Sequence, residues 1–161
     1  MKRLLPFAFA LGLMACGSEK ADVLTPILGS GHFRGNTIGD KYDKVLKQVA
    51  NDNIVVNDGF NINCETQVDA AEVSVRYEFD DEELYSIQAD IFLPDTSALR
   101  VFQTDLVESY NERFGAMTEE SGFLVWRDRT RSGSEVELTL ADESIEFGRP
   151  MLSLTIYNFD L

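Results

Sequence analysis

From residue 72 to residue 79 the chain alternates strictly. Val73, Val75, Tyr77 and Phe79 fall on one phase, and Glu72, Ser74, Arg76 and Glu78 on the other. A period of two with one apolar phase predicts a strand that faces a core on one side and water on the other. The acidic run Asp80, Asp81, Glu82, Glu83 interrupts the pattern, which resumes at Tyr85, Ile87, Ala89 and Ile91 on a predicted return strand. Val136, Leu138 and Leu140 alternate in the same way with Glu135, Glu137 and Thr139, ahead of a last strand carrying Leu152, Leu154 and Ile156. Both pairs read as antiparallel hairpins. Further strands are expected over residues 60–66 and from Phe123 onward, the first entered through a turn at Asn57, Asp58 and Gly59.

Two segments shift to helical spacing. Tyr42, Val45, Leu46 and Val49 share one face of a helix with Asp40 as its N-cap, and Asn51, Asp52 and Asn53 end it. A longer helix starts at Asp95 to Ser97, after Pro94. It carries the stripe Leu99, Phe102, Leu106, Tyr110 and Phe114 and closes at Gly115.

The two halves resemble each other. Gly59, Phe60 and Ile62 precede Glu72 and Val73 by the same spacing as Gly122, Phe123 and Val125 precede Glu135 and Val136. An internal duplication is expected, giving an α+β fold of two helix-plus-three-strand units with the helices packed on one antiparallel sheet.

The amino terminus has a different character. Lys2 and Arg3 precede an uncharged apolar run from Leu4 to Met14, then Ala15 and Cys16. That is the layout of a secretory signal, too short to span a bilayer. Leu13, Met14, Ala15 and Cys16 resemble the lipobox of bacterial lipoprotein precursors. The resemblance implies cleavage before Cys16, acylation of its thiol and stable membrane attachment by several acyl chains. Gly17 in place of Asp implies, by the same resemblance, sorting to the outer membrane. The expected organisation is a signal peptide over residues 1–15, a lipidated tether over 16–31 and a single domain over 32–161.

Charge narrows the partners. Removing residues 1–15 takes Lys2 and Arg3 from the 14 basic residues and none from the 28 acidic ones, so 12 face 28, about −16. Such a surface is repelled by nucleic acid and anionic lipid, and the partner expected beyond the membrane anchor is a protein, with a basic surface as the sharper version. With Cys16 acylated, Cys64 is the only remaining thiol and reads as a small buried core residue.

Chemistry is sparse. His32, the only histidine, reads as an exposed loop residue, and no serine sits in a nucleophile elbow. One histidine and one thiol cannot fill a tetrahedral metal site, and no cofactor is expected. Asp80, Asp81, Glu82 and Glu83 read first as a solvated hairpin tip, with a calcium site as the alternative. Arg127, Arg129 and Arg131 would project from one face of a strand, with Trp126 and Asp128 turned the other way. The ordinary account is a charge ladder paired with carboxylates such as Glu135 and Glu137. The functional account is a partner-binding surface with Trp126 nearby as an aromatic anchor.

Ile38, Gly39, Asp40 and Val45, with the duplicated helix-and-strands order, resemble the small secreted domains built like the beta-lactamase inhibitor protein and the small lipoprotein of the outer-membrane barrel assembly machinery. Pro94 and Asp95 stand where that family would begin its second helix with glycine and valine. The resemblance implies binding or assembly without catalysis, of adaptor, inhibitor or immunity type. A hydrolase of envelope carbohydrate using paired carboxylates and a small-ligand carrier are the alternatives.

Overall fold

The computed structural model describes residues 24–160. Eight strands form one antiparallel sheet: β1 (Asn53–Asn57), β2 (Asn61–Val68), β3 (Ala71–Asp80), β4 (Glu83–Phe92), β5 (Thr118–Glu120), β6 (Phe123–Arg129), β7 (Glu135–Asp142) and β8 (Met151–Asn158). Their order is β1-β2-β3-β4-β8-β7-β6-β5. Each half is therefore a meander, and the two meanders join where β4 meets β8, with Ile87 opposite Ile156, Ala89 opposite Leu154 and Ile91 opposite Leu152.

Each half has four strands, not three. The additional ones are the sheet edges β1 and β5. β1 occupies residues expected to end the first helix and open a turn, and β5 is three polar, exposed residues without alternation. Edge strands bury little and so leave little periodic trace.

Two helices match the expected stripes. α2 (Tyr42–Gln48) buries Val45 and leads into buried Val49, while α3 (Thr96–Phe114) buries Leu99, Phe102, Leu106 and Tyr110. The Asp95 side chain accepts a hydrogen bond from the Ala98 N–H and caps α3, and Gly115 ends it at φ 90°. At α2 the cap differs from expectation. Lys41 holds the N-cap position without a side-chain bond, and Asp40 instead accepts from the Thr37 N–H at 2.8 Å, closing the preceding turn.

The alternation sorts the sheet faces as read from sequence, with one shift. A bulge between Glu78 and Phe79 puts Leu84, not Tyr85, in the buried phase at the start of β4. The helix-side phase of β2, β3, β4, β8, β7 and β6 supplies Ile62, Cys64, Val75, Tyr77, Ile87, Leu154, Leu138 and Trp126 to one core with α2 and α3.

The chain ahead of α2 belongs to the fold. α1 (Leu24–Leu28) buries Ile27 and Leu28, residues expected in the tether. Pro26 and Gly29 had suggested a linker, yet the adjacent Ile-Leu pair finds the core. At Gly31 a Cβ would lie 2.6 Å from the Asn36 carbonyl oxygen, at φ +73°, so only glycine lets this loop close on itself. The expected signal, Cys16 and Gly17 lie outside the described residues.

Candidate functional site

On the side of the sheet away from the helices, the register lines up Asn63, Arg76, Gln88, Thr155 and Thr139 across β2, β3, β4, β8 and β7. The next row holds Glu65, Ser74, Asp90, Ser153 and Ala141. The side chains in these rows are mostly short and polar, and only Ala141 among them is buried. Partial burial pushes the Asp90 carboxyl above its ordinary range, while a hydrogen bond from Ser153 opposes the rise. Towards one end lies a depression of about 460 Å³ lined by Asn53, Glu65, Gln67, Glu72, Ser74 and Phe92, among others.

The expected arginine stripe sits at the β6 side of this face. Arg127 donates to both oxygens of Glu120, at 2.8 and 3.0 Å, and to Glu137 at 3.0 Å. Glu137 also accepts from the Tyr157 hydroxyl at 2.8 Å, so Glu120, Arg127, Glu137 and Tyr157 form a chain from β5 to β8. The bidentate guanidinium, helped by the Thr118 hydroxyl, holds the Glu120 carboxyl down at about 2. Arg129 pairs with Glu135 at 2.6 Å. Arg131 does not join them, because β6 ends at Arg129 and residue 131 lies in the following turn. The ladder is thus matched to local carboxylates.

Trp126 is turned away from this face, as the alternation requires. It is 1% exposed, its indole N–H donates to Asn111 Oδ1 at 2.9 Å, and Tyr110 meets it edge-on. A buried indole with a satisfied N–H stabilises the α3–β6 contact and offers nothing to a partner.

Asp80 and Glu83 terminate β3 and β4, while Asp81 and Glu82 turn the hairpin with positive φ. The tip docks on the start of α2: the Tyr42 N–H donates to the Glu82 carbonyl, the Leu84 N–H to the Asp40 carbonyl, and Lys41 pairs with Glu83 at 3.0 Å. Among the described residues no three His, Cys, Asp or Glu side chains gather as a metal site, at this tip or elsewhere.

Cys64 is buried, and desolvation pushes its thiol up to about 12. Beside it Arg34 and Asp52 form a partly buried two-pronged ion pair at 2.7 and 2.9 Å. That pair ties the loop after α1 to the chain entering β1.

His32 overturns its expected place. It is 2% exposed, with Nδ1 accepting from the Ile38 N–H and Nε2 bonded to Asp128, both at 3.0 Å. Burial lowers its pKa, and Asp128 opposes the drop. Phe114 packs against the ring, and the Tyr110 hydroxyl donates to the His32 carbonyl at 2.9 Å. Asp128 lies on the inward phase of β6 but keeps 39% of its side chain exposed, so its position alone did not point to a buried partner.

Among the described residues no helix is long and apolar enough to cross a membrane. Compared with known protein families, curated proteins and solved structures, the chain gives no match.

Proposed function

We propose that this chain is a non-catalytic lipoprotein of the bacterial cell envelope, anchored through acylated Cys16, whose uncovered sheet face receives another protein. The observation that carries the reading is the contrast between the two sides of one eight-stranded sheet. One side is packed by helices, and the other presents cross-strand rows of mostly short, polar side chains from β2 to β7. A rigid hydrogen-bonded sheet loses little entropy on docking, and its short side chains let a partner's backbone approach. Formal net charge of −14 over the whole chain favours a basic partner and speeds its capture.

The mirrored strand order supports an origin by duplication, each copy contributing one helix and one meander to the shared sheet. The resemblance of Ile38, Gly39, Asp40 and Val45 to inhibitor-like and assembly-lipoprotein domains implies an adaptor, inhibitor or immunity role.

The test is affinity purification of the full-length protein from detergent-solubilised membranes at low and moderate salt, beside a Gln88→Glu, Thr155→Glu double variant. A protein enriched by wild type and lost by the variant, with unchanged circular dichroism, supports the face as the site. Equal enrichment by both removes it. The anchor has its own test: the Cys16→Ser protein should leave the membrane fraction in a high-salt wash while the domain stays folded. Retention in the membrane would rule out acylation as the attachment.

A further inference from the structure

Of the large apolar side chains on the surface among the described residues, Ile145 is the most exposed. It is 99% exposed, at the tip of the one-turn helix α4 (Ser144–Phe147) between β7 and β8. Phe147, two residues on, is 52% exposed and rests edge-on against Phe92.

The loop carrying them is held firmly. Ser144 Oγ accepts from the Met151 N–H at 3.1 Å, Asp142 accepts from the Ser144 N–H at 3.0 Å, and the Glu143 N–H donates to the Met151 carbonyl at 3.1 Å. Arg149 closes the far side, its guanidinium 3.9 Å from the Phe92 ring centre and 2.7 Å from Glu72. The structure thus fixes the backbone around a side chain that contributes nothing to folding, and such preorganisation favours binding.

Charge selects the occupant. Asp142, Glu143 and Glu146 flank the two apolar side chains along the loop, and the loop's own cation, Arg149, is already engaged by Glu72 and Phe92. Anionic lipid would be repelled by this acidic collar, and so would the same loop of a second copy. A protein pocket that is apolar within and basic at its rim would be attracted on both counts.

We propose that the β7–β8 loop is an anchor, with Ile145 and Phe147 inserting into an apolar, basic-rimmed pocket of the protein partner. The inference rests on the reading that the chain binds a protein, and it adds which segment grips and what chemistry it grips.

The experiment places the photocrosslinker p-benzoylphenylalanine at position 145 of the full-length protein in cells, with parallel probes at Gln88 on the sheet face and Glu108 on the helix side. Expected is one protein adduct from position 145 and none from position 108, with the linked peptide carrying apolar residues beside Lys or Arg. Ile145→Ser should then weaken binding of that protein about thirtyfold, and added salt should weaken wild-type binding further. An adduct at position 88 without one at 145 overturns the anchor and leaves the sheet-face reading standing. Adducts at 145 to lipid, or to a second copy of the chain, overturn the anchor as well. No protein adduct at either position overturns both readings. Full binding by Ile145→Ser also overturns the anchor, and circular dichroism of that variant checks that the fold is intact.

Discussion

His32 and Asp128, 96 positions apart, are joined by a 3.0 Å hydrogen bond between Nε2 and Oδ2. The other ring nitrogen accepts from the Ile38 N–H, so the imidazole is neutral and its single N–H lies on Nε2, donating to the carboxylate. One side chain thereby fastens the loop after α1 to β6, which belongs to the opposite half of the sheet. Protonating Nδ1 would set two donors against each other.

The first prediction follows from that geometry. Burial holds the folded-state pKa of His32 below its ordinary 6.5, so the unfolded chain takes up a proton first as pH falls. The stability contributed by neutral His32 is complete above about pH 6.5 and declines as pH drops from there towards the lowered folded value. His32→Asn keeps an acceptor for Ile38 and has nothing to titrate. Urea denaturation should show wild type the more stable at neutral pH, with the gap to His32→Asn narrowing below about pH 6.5. A gap that stays constant or widens on acidification contradicts this.

Tyr110→Phe isolates a neighbouring contact. The hydroxyl lost is the one that donates to the His32 carbonyl at 2.9 Å in a buried setting. An orphaned buried carbonyl costs about 1 to 3 kcal/mol, so the denaturation midpoint should fall while the fold is retained. An unchanged midpoint would mean that water reaches that carbonyl.

Sequence periodicity revealed the elements whose one face is buried. Leu99, Phe102, Leu106 and Tyr110 at helical spacing, and Val73, Val75 and Tyr77 at period two, each report a side in contact with the core. Elements outside that logic left no trace. β5 is exposed at all three positions, β1 at alternate ones, and α1 reaches the core through only Ile27 and Leu28 among its described side chains. His32 was illegible for a related reason: its neighbours Gly31 and Arg34 look like a solvated loop, and its burial arises from contacts with α3 and β6 that no local window contains. At the arginine row, alternation gave the faces of Arg127 and Trp126 correctly but not the end of β6, which excludes Arg131.

Cys64 supplies a probe of global opening. Its thiol is 1% exposed and pushed up to about 12 by burial, so the thiolate is scarce at neutral pH and reagent cannot reach it. In the Cys16→Ser protein, labelling by a thiol reagent at pH 8 should proceed only through unfolding and accelerate with urea in step with the loss of stability. Rapid labelling of the native protein would show a local opening near Arg34 and Asp52.

Two aromatic or aliphatic positions on α3 should separate by burial. Leu106 is fully buried, and Leu106→Ala should cost about 2 to 5 kcal/mol through lost transfer energy and the cavity left behind. Phe114 is only partly buried at the rim of the core, against His32 and Tyr110. Phe114→Ala should cost less than Leu106→Ala in the same denaturant titration, and the reverse order would mean that the end of α3 carries more of the core than its exposure indicates.

Arg127 is the last and most local test, because it decides whether the arginine row is a matched ladder. Its two-pronged bond is the main reason that the Glu120 carboxyl sits at about 2 rather than at the ordinary 4.5. Arg127→Gln removes the charge and the fork while leaving a polar side chain at the same register position, opposite Glu137. The Glu120 pKa, read from its side-chain carbonyl resonance in an NMR pH titration, should therefore rise towards 4.5. Because Glu120 is depressed in the folded state, its stabilising effect is present above the unfolded value and fades as pH falls through the folded one. The variant should lose that acid-side dependence, with only a slight change in stability, since both groups are exposed to solvent and salt. A Glu120 pKa still near 2 in the variant would show that Thr118, rather than Arg127, holds the carboxylate, and would free the guanidinium for a ligand of its own.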